Sequence, residues 1–564
     1  MALRGCPWAV ILILILFGEA HGSSALNARS AIGTNLATVS YYTSERPFIN
    51  SFVTSSGWIT HSASSWDTGE EKYLNLDVDG WPISLAGANE PTAQQFNSVG
   101  VLFLVGMPKT PNGIYAPGRY VVLYDGEGKL SYGSDAALTR RSPGRDVINV
   151  TPSDKGIDLR IIETDPHHNG KYIRNIRVVA AANEAAAQAG QLFDPTFLEL
   201  IQNFRALRFM DWFQTNGSKV SSWADRALPT HAFFGTSKGV PIEIAIQLAN
   251  AVSADAWINV PLLADDNFIR QMAMLVHSQL GHTQKIYVEL SNEVWNGSFS
   301  QYKQAADKGR SRWPTRSSGK DDYEYNRNWF GMRTAQMCDI WHSVWQLDAN
   351  FVCVLGAQAA WSFSATEALK CPYWTEGAPC SAHGMGAVAI APYLGGAVPS
   401  AWTSQPDGGL AKLFQSLYSQ NDPSIPAGGF LAQNGAWLKD FTKMLASYKL
   451  PLVAYEGGQT FANGATEALD QTYMAGNRDP RMGVAYERYL QQWKSAGGQI
   501  FMHYDDVGVE SKYGSWGALE SIMQSTSPLA SAPPKWQAIQ SFISANPCWW
   551  PGCVGTIVAG QPLH

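Results

Sequence analysis

What this chain has little of narrows it first. It carries no stripe of clustered Lys and Arg, and its formal net charge of −6 offers a polyanion nothing to bind, so nucleic acid is not an expected partner. Beyond residue 22 no apolar run is long enough to cross a bilayer, so no membrane association is expected of the mature chain. Cysteine is sparse, seven in 564 residues, and no His stands beside any of them at ligand spacing, which argues against zinc. The adjacent His167 and His168 also lack a nearby carboxylate or Cys and read as a loop pair, so neither metal nor cofactor is expected. Charge itself is scarce: 16% charged against 45% apolar residues describes a chain that buries a large core, and its length suggests two domains.

Among the features present, Met1 to Gly22 reads as a secretory signal, with Arg4 ahead of the apolar run Ala9 to Phe17 and small residues at Ala20-His21-Gly22. The mature protein is therefore expected outside the cell, as a monomer. Cys6 leaves with the signal, and the remaining six are expected to be oxidised: Cys371 with Cys380 and Cys548 with Cys553 as local pairs, Cys338 with Cys353 by elimination. Sequons stand at Asn149, Asn216 and Asn296. The first two are expected to carry glycans, and Asn296, so near Glu293, to stay bare. Twenty-one Trp and 22 Tyr supply flat amphipathic rings of the kind that suit sugar faces.

Along the chain, an α/β pattern is interrupted once. Residues 23–56 hold a short buried strand, Ile32 to Leu36, and a helical piece around Pro47 to Val53. Residues 57–184 then read as strands and tight turns, the spacing of an all-β sandwich-like domain, with GRYVVLYDGEGKLSYG expected as a hairpin. From 185 to 545 helix and strand alternate. The segments IGTNL, LRFMDW, DAWINVP, KIYVELSNE, FVCVLG, AVAIAPY, PLVAYE and QIFMHY make eight strands, the number that closes a (β/α)8 TIM barrel. Residues 546–564 form a disulfide-pinned tail. The β-rich domain is thus inserted after the first barrel strand.

The most informative stretch is Lys285 to Asn296, KIYVELSNEVWN. Ile286, Val288 and Leu290 alternate with Tyr287 and Glu289 as a strand does, and the run breaks into Ser291-Asn292-Glu293. Functional side chains of such barrels project from C-terminal strand ends, which puts Asn292 and Glu293 at the mouth. A second carboxylate, Glu456, ends the seventh strand before Gly457 and Gly458. Two carboxyl groups about 5–5.5 Å apart across the mouth suit a retaining double displacement at a glycosidic bond.

An Asn-Glu pair ending the fourth strand with a lone Glu ending the seventh resembles the clan-A glycoside hydrolases, a superfamily of retaining β-glycosidases that includes many cellulases, xylanases and mannanases. The resemblance implies Glu293 as acid/base, Glu456 as nucleophile, and Asn292 on the sugar 2-hydroxyl. It further implies that Arg208 on the second strand steadies the nucleophile and that Tyr393 after the sixth orients it. Clan members often carry a Trp on the eighth strand as a sugar floor; this chain has His503-Tyr504-Asp505, so Tyr504 or Trp516 would serve. Asn35, Trp212 and Trp295, beside strand ends, complete the expected substrate contacts. The implied activity is that of a secreted endo- or exo-β-glycanase, glucanase- or cellulase-like, acting on a β-linked polysaccharide or oligosaccharide.

Two rival readings remain. Gly235-Thr236-Ser237-Lys238-Gly239 fits the G-x-S-x-G of a serine esterase, which needs a strand directly before and a helix directly after. A secreted carbohydrate-binding protein on a barrel without catalysis would share fold, signal and aromatics.

Overall fold

The eight expected barrel strands pair in sequence order into one closed, all-parallel cylinder. This computed structural model describes residues 29–87, 96–106, 115–316, 322–346, 348–526 and 532–553, so the proposed signal at 1–22 lies outside the described residues. The strands are Ile32–Asn35, Ala206–Arg208, Asp255–Val260, Ile286–Leu290, Phe351–Ala357, Met385–Ile390, Leu452–Ala454 and Phe501–His503, and closure comes from Thr34 pairing with His503. Alternation along each strand sorts the side chains into two layers. Ile286, Val288 and Leu290 pack outward against the helices, while Tyr287 turns inward with Trp257, Val354, Ala387, Val453 and Tyr455. The Trp257 and Tyr287 rings stack at 5.2 Å in the interior.

Helices are placed where caps and apolar spacing put them. Asp265 accepts a bond from the Phe268 amide and starts Asp266–Gln279, whose Ile269, Met272, Ala273 and Val276 face the barrel. Pro241 precedes Ile242–Ala251, and Asp322–Trp345 is the long helix after the fourth strand. At the closed end, Arg205 pairs with Asp255 at 3.0 Å and donates to the Cys553 carbonyl at 2.6 Å, which seats the C-terminal loop under the barrel. Three disulfides join Cys338–Cys353, Cys371–Cys380 and Cys548–Cys553, with Cα–Cα distances of 5.6, 5.8 and 5.5 Å.

Between the first and second barrel strands lie two four-stranded antiparallel sheets that share one apolar core. The expected hairpin of Gly118 to Gly133 does not form. Gly118–Asp125 pairs with Arg145–Val150 and Arg174–Ala180, whereas Gly128–Ser134 pairs with Ile157–Thr164 in the other sheet. The turn between them is clasped by other chain segments. The Glu127 amide donates to the Lys171 carbonyl and its carbonyl accepts from Asp165, and a Cβ on Gly126 would meet the Tyr172 carbonyl at 2.0 Å. The two strands therefore part at this turn. The helical piece expected around Pro47 to Val53 is a single 3-10 turn, Ser51–Thr54, begun by Asn50. Phe233 joins the core of the β-domain and Phe234 that of the barrel, so the loop bearing Ser237 ties the two together.

Candidate active site

The site is organised around one buried arginine. Arg208 ends the second strand, is fully enclosed, and spends its guanidinium on four partners. Nη1 donates to Glu456 Oε1 at 2.7 Å and Asn35 Oδ1 at 2.9 Å; Nη2 donates to Glu289 Oε2 at 2.8 Å and Asn292 Oδ1 at 2.9 Å. Its flat face lies 5.1 Å from the Tyr455 ring and 5.8 Å from that of Trp257. A planar fork presents its donors in fixed directions, so one cation registers the first, second, fourth and seventh strands against each other.

Glu293 follows the fourth strand through a sharp bend. Ser291 and Glu293 both take left-handed backbone conformations, φ +58° and +42°, at a cost of about 1–3 kcal/mol each. The bend points Glu293 back over the mouth, where its Oε1 accepts from the Tyr455 phenol at 3.0 Å and its Oε2 from Asn296 Nδ2 at 2.8 Å. Glu456 accepts from Arg208 and, on Oε2, from the Tyr393 phenol at 3.0 Å. Asn292 is held at both ends, its Nδ2 donating to Asn216 Oδ1 at 3.2 Å.

The two carboxyls differ electrostatically. Burial raises both above the ordinary carboxylate range, and like charges add to it, Glu289 at Glu293 and Glu293 at Glu456. Arg208, in contact with Glu456, pulls that group back toward its ionised form, whereas the only groups in direct contact with Glu293 among those described are neutral donors. Direct contact with the cation therefore favours the ionised form of Glu456 over that of Glu293.

Around Glu456 three rings meet edge to face. Tyr393 lies 5.5 Å from Trp516 and 6.5 Å from Tyr504, and Tyr504 lies 6.0 Å from Trp516. The Tyr504 phenol donates to Asp211 Oδ2 at 3.0 Å. Trp516 is held from behind by Lys535, whose Nζ donates to the Ser515 and Trp516 carbonyls at 2.7 and 3.1 Å. His503 is buried against the Tyr486 hydroxyl at 3.2 Å as part of the wall.

Two expected substrate contacts do not face the mouth. Trp212 is wholly enclosed between Phe48 and Phe209, each 5.5 Å away, because its ring fills the space between barrel and helices. Asn35 is buried, its amide donating to the Tyr455 and His503 carbonyls and its oxygen accepting from Arg208; it braces the arginine and has no free donor for a ligand. Trp295 stays half-buried at the rim beside Glu293. The sequon amide of Asn296 is engaged by Glu293, while that of Asn149 is exposed on the β-domain. Asn216, exposed as well, accepts from Asn292 and from Gln301 Nε2 at 2.7 Å, so a glycan there would crowd the same mouth that argues against one on Asn296.

Sequence reasoning passed over Glu289, Tyr455 and Asp211. Glu289 Oε2 also accepts from Trp257 Nε1 and Asn259 Nδ2, each at 3.0 Å. A lone acid on the alternate face of a strand with both faces buried was the available signal. Ser237 lies exposed in a loop, with no strand directly before it and a helix that begins only at Ile242, so the context an esterase nucleophile needs is absent among the described residues. No group of three or more His, Cys, Asp or Glu placed to hold a metal ion occurs among the described residues.

Fold and site together define a parallel eight-stranded barrel with a buried glutamate, a half-buried one and a buried arginine at its open end. No family model matches the chain, and no curated protein matches it in sequence. Among solved structures it is similar to a 4-O-α-L-rhamnosyl-β-D-glucuronidase from Fusarium oxysporum, at 13% identity and a TM-score of 0.37, covering 63% of this chain and 66% of that one. It is also similar to an endo-β-1,4-mannanase of glycoside hydrolase family 26 from Cellulomonas fimi, at 11% identity and TM-score 0.32, over 63% of this chain and 67% of that one. A Bacteroidetes-affiliated GH5 cellulase matches at 10% identity and TM-score 0.35, over 63% and 91%. At such scores no activity transfers from these proteins to this chain.

Proposed function

We propose that the protein is a retaining β-glycoside hydrolase of the clan-A kind, exported from the cell, that cleaves a β-linked polysaccharide or oligosaccharide. The observation that carries this reading is the asymmetry of the two glutamates: Glu456 is ion-paired with Arg208 at 2.7 Å, while Glu293 is met by neutral donors. In the first step Glu456 attacks the anomeric carbon as the glycosidic C–O bond breaks, and Glu293 gives its proton to the departing oxygen. A glycosyl ester on Glu456 results. In the second step Glu293, now ionised, takes a proton from water, whose oxygen displaces Glu456 and releases the sugar with its original anomeric configuration. Arg208 and Tyr393 hold the nucleophile, Asn292 receives the 2-hydroxyl, and the Tyr393–Tyr504–Trp516 cluster supplies the apolar wall for the sugar before the cleaved bond.

The test is a screen of β-glycans followed by proton NMR of the first products on an active one. The β-anomer should appear first and mutarotate later. Glu293→Gln and Glu456→Gln should each lower turnover by at least about 1,000-fold while leaving the thermal midpoint within a few degrees. Initial α-product, or wild-type rates in either variant, overturns the assignment. Three disulfides accord with an oxidising compartment, and Asn149 is the sequon we assign a glycan.

A further inference from the structure

At the C-terminal ends of the barrel strands, two aromatic rings stand open to solvent with no core to fill. Trp361 and Phe363 lie in the connection from the fifth strand, at the same end of the barrel as Glu293, and are 43% and 54% exposed. Their rings run nearly parallel, 28° apart with centroids at 6.3 Å, and Trp361 in turn stacks on Tyr323 at 4.8 Å and 21°. No other two large rings this exposed touch each other among the described residues. Tyr323 opens the helix that follows the fourth strand, and the Arg327 guanidinium, 5.2 Å from its ring, donates at 3.2 Å to the carbonyl of Trp295, two residues past Glu293. The aromatic surface is thereby joined to the proposed acid through Arg327 and Trp295, strand end to strand end.

Resting on the glycosidase reading above, we propose that Trp361, Phe363 and Tyr323 form a second sugar-binding surface, for the units of a β-glycan that lie beyond the cleaved bond on the leaving-group side. Three features select that occupant. Near-parallel rings make a flat, uncharged platform that suits the C–H faces of pyranose rings rather than a knobbed protein surface. Its connection leaves the fifth strand, next in the barrel to the fourth, which carries Glu293, the proposed acid that must meet the departing oxygen. The half-buried aromatics Tyr393, Tyr504 and Trp516 gather around Glu456 at the sixth and eighth strand ends, so the mouth carries a second aromatic group besides this one. A chain lying on both is cut internally, which makes the enzyme endo-acting.

The double variant Trp361→Ala/Phe363→Ala tests this against wild type on three substrates. With an aryl β-glycoside, whose small leaving group does not reach the platform, kcat/KM should stay within twofold, which also reports intact folding. On the matching polysaccharide KM should rise about tenfold, equivalent to about 1.4 kcal/mol, with kcat little changed. On an oligosaccharide labelled at its reducing end, the cut should move toward that end. Unchanged polysaccharide KM, or a raised KM with an unchanged cutting position, overturns the platform while leaving the glycosidase assignment in place. If wild type hydrolyses no β-glycan, that assignment falls by itself, and affinity electrophoresis decides on the platform as a glycan-binding surface. Retardation by a soluble β-glycan that the double variant loses would uphold that surface; no retardation, or equal retardation of both proteins, removes it.

Discussion

Glu456 and Glu293 are the same residue type in one pocket, and what separates them is contact with a single cation. Each carboxyl is raised by burial, Glu456 also by the charge of Glu293, and the direct contact with Arg208 favours an ionised Glu456. The consequence is testable without turnover. With Glu456 replaced by Gln, Glu293 loses a neighbouring negative charge, and Arg208 loses one of its anions, so both changes favour ionised Glu293. Carbon-13 NMR of carboxyl-labelled glutamate should show Glu293 titrating at lower pH in Glu456→Gln than in wild type. On the proposed mechanism that titration should set the alkaline limb of activity, because the acid is lost as pH rises through it. An unchanged or higher titration of Glu293 in the variant would mean that the pair does not share its charge as described.

At the scale of elements, the barrel strands leave little room for substitution where they close. Gly33, in the first strand, has Met502 Sδ 2.4 Å and the Ala206 carbonyl 2.6 Å from where a Cβ would stand. The first contact is a flexible side chain and the second is backbone. Gly33→Ala should therefore destabilise by about 1–3 kcal/mol, read as a lowered thermal midpoint, and the added Met502→Ala should restore only part of it. Such closeness was not legible in the sequence, whereas the strands themselves were. Apolar runs ending in turn residues marked all eight, and Asp265 and Pro241 marked helix starts, because these signals are local. Pairing in the β-domain depends on which distant segment crosses the Gly126–Gly128 turn, and no local pattern carries that. The same limit explains the site. Strand ends disclosed Asn292, Glu293 and Glu456, but the duty of Asn35 as a brace, the enclosure of Trp212 and the part of Glu289 follow from neighbours contributed by other strands.

Across the whole molecule, buried carboxyls gather a second time where the barrel's ends meet. Glu45, on the chain leaving the first strand, and Asp506, after the eighth, are both fully enclosed and lie in each other's field, each with one oxygen that meets no hydrogen-bond donor, and Asp505 and the buried Lys535 are nearby. Two carboxyls placed this way need a proton on one of them. Burial pushes Glu45 well above its ordinary value and Asp506 up to about 7. A group raised in the folded state contributes stability below its unfolded value, and that contribution is lost as pH rises through the folded one. In the unfolded chain these carboxyls ionise near about pH 4, so the loss runs from about pH 4 to 7 and beyond for Glu45. Lys535, lowered to about 7 by burial, acts in the opposite sense at higher pH, so the raw thermal profile mixes the two. Comparison with Glu45→Gln isolates the pair, since the amide can still accept from the Ala37 amide, a bond of 3.1 Å in the native chain, and can donate to an ionised Asp506. The thermal midpoint of the variant should therefore gain on that of wild type steadily from pH 5 to pH 8, by circular dichroism at constant ionic strength. A gap that stays constant across that range, or closes as pH rises, would show that no proton is held between the two carboxyls.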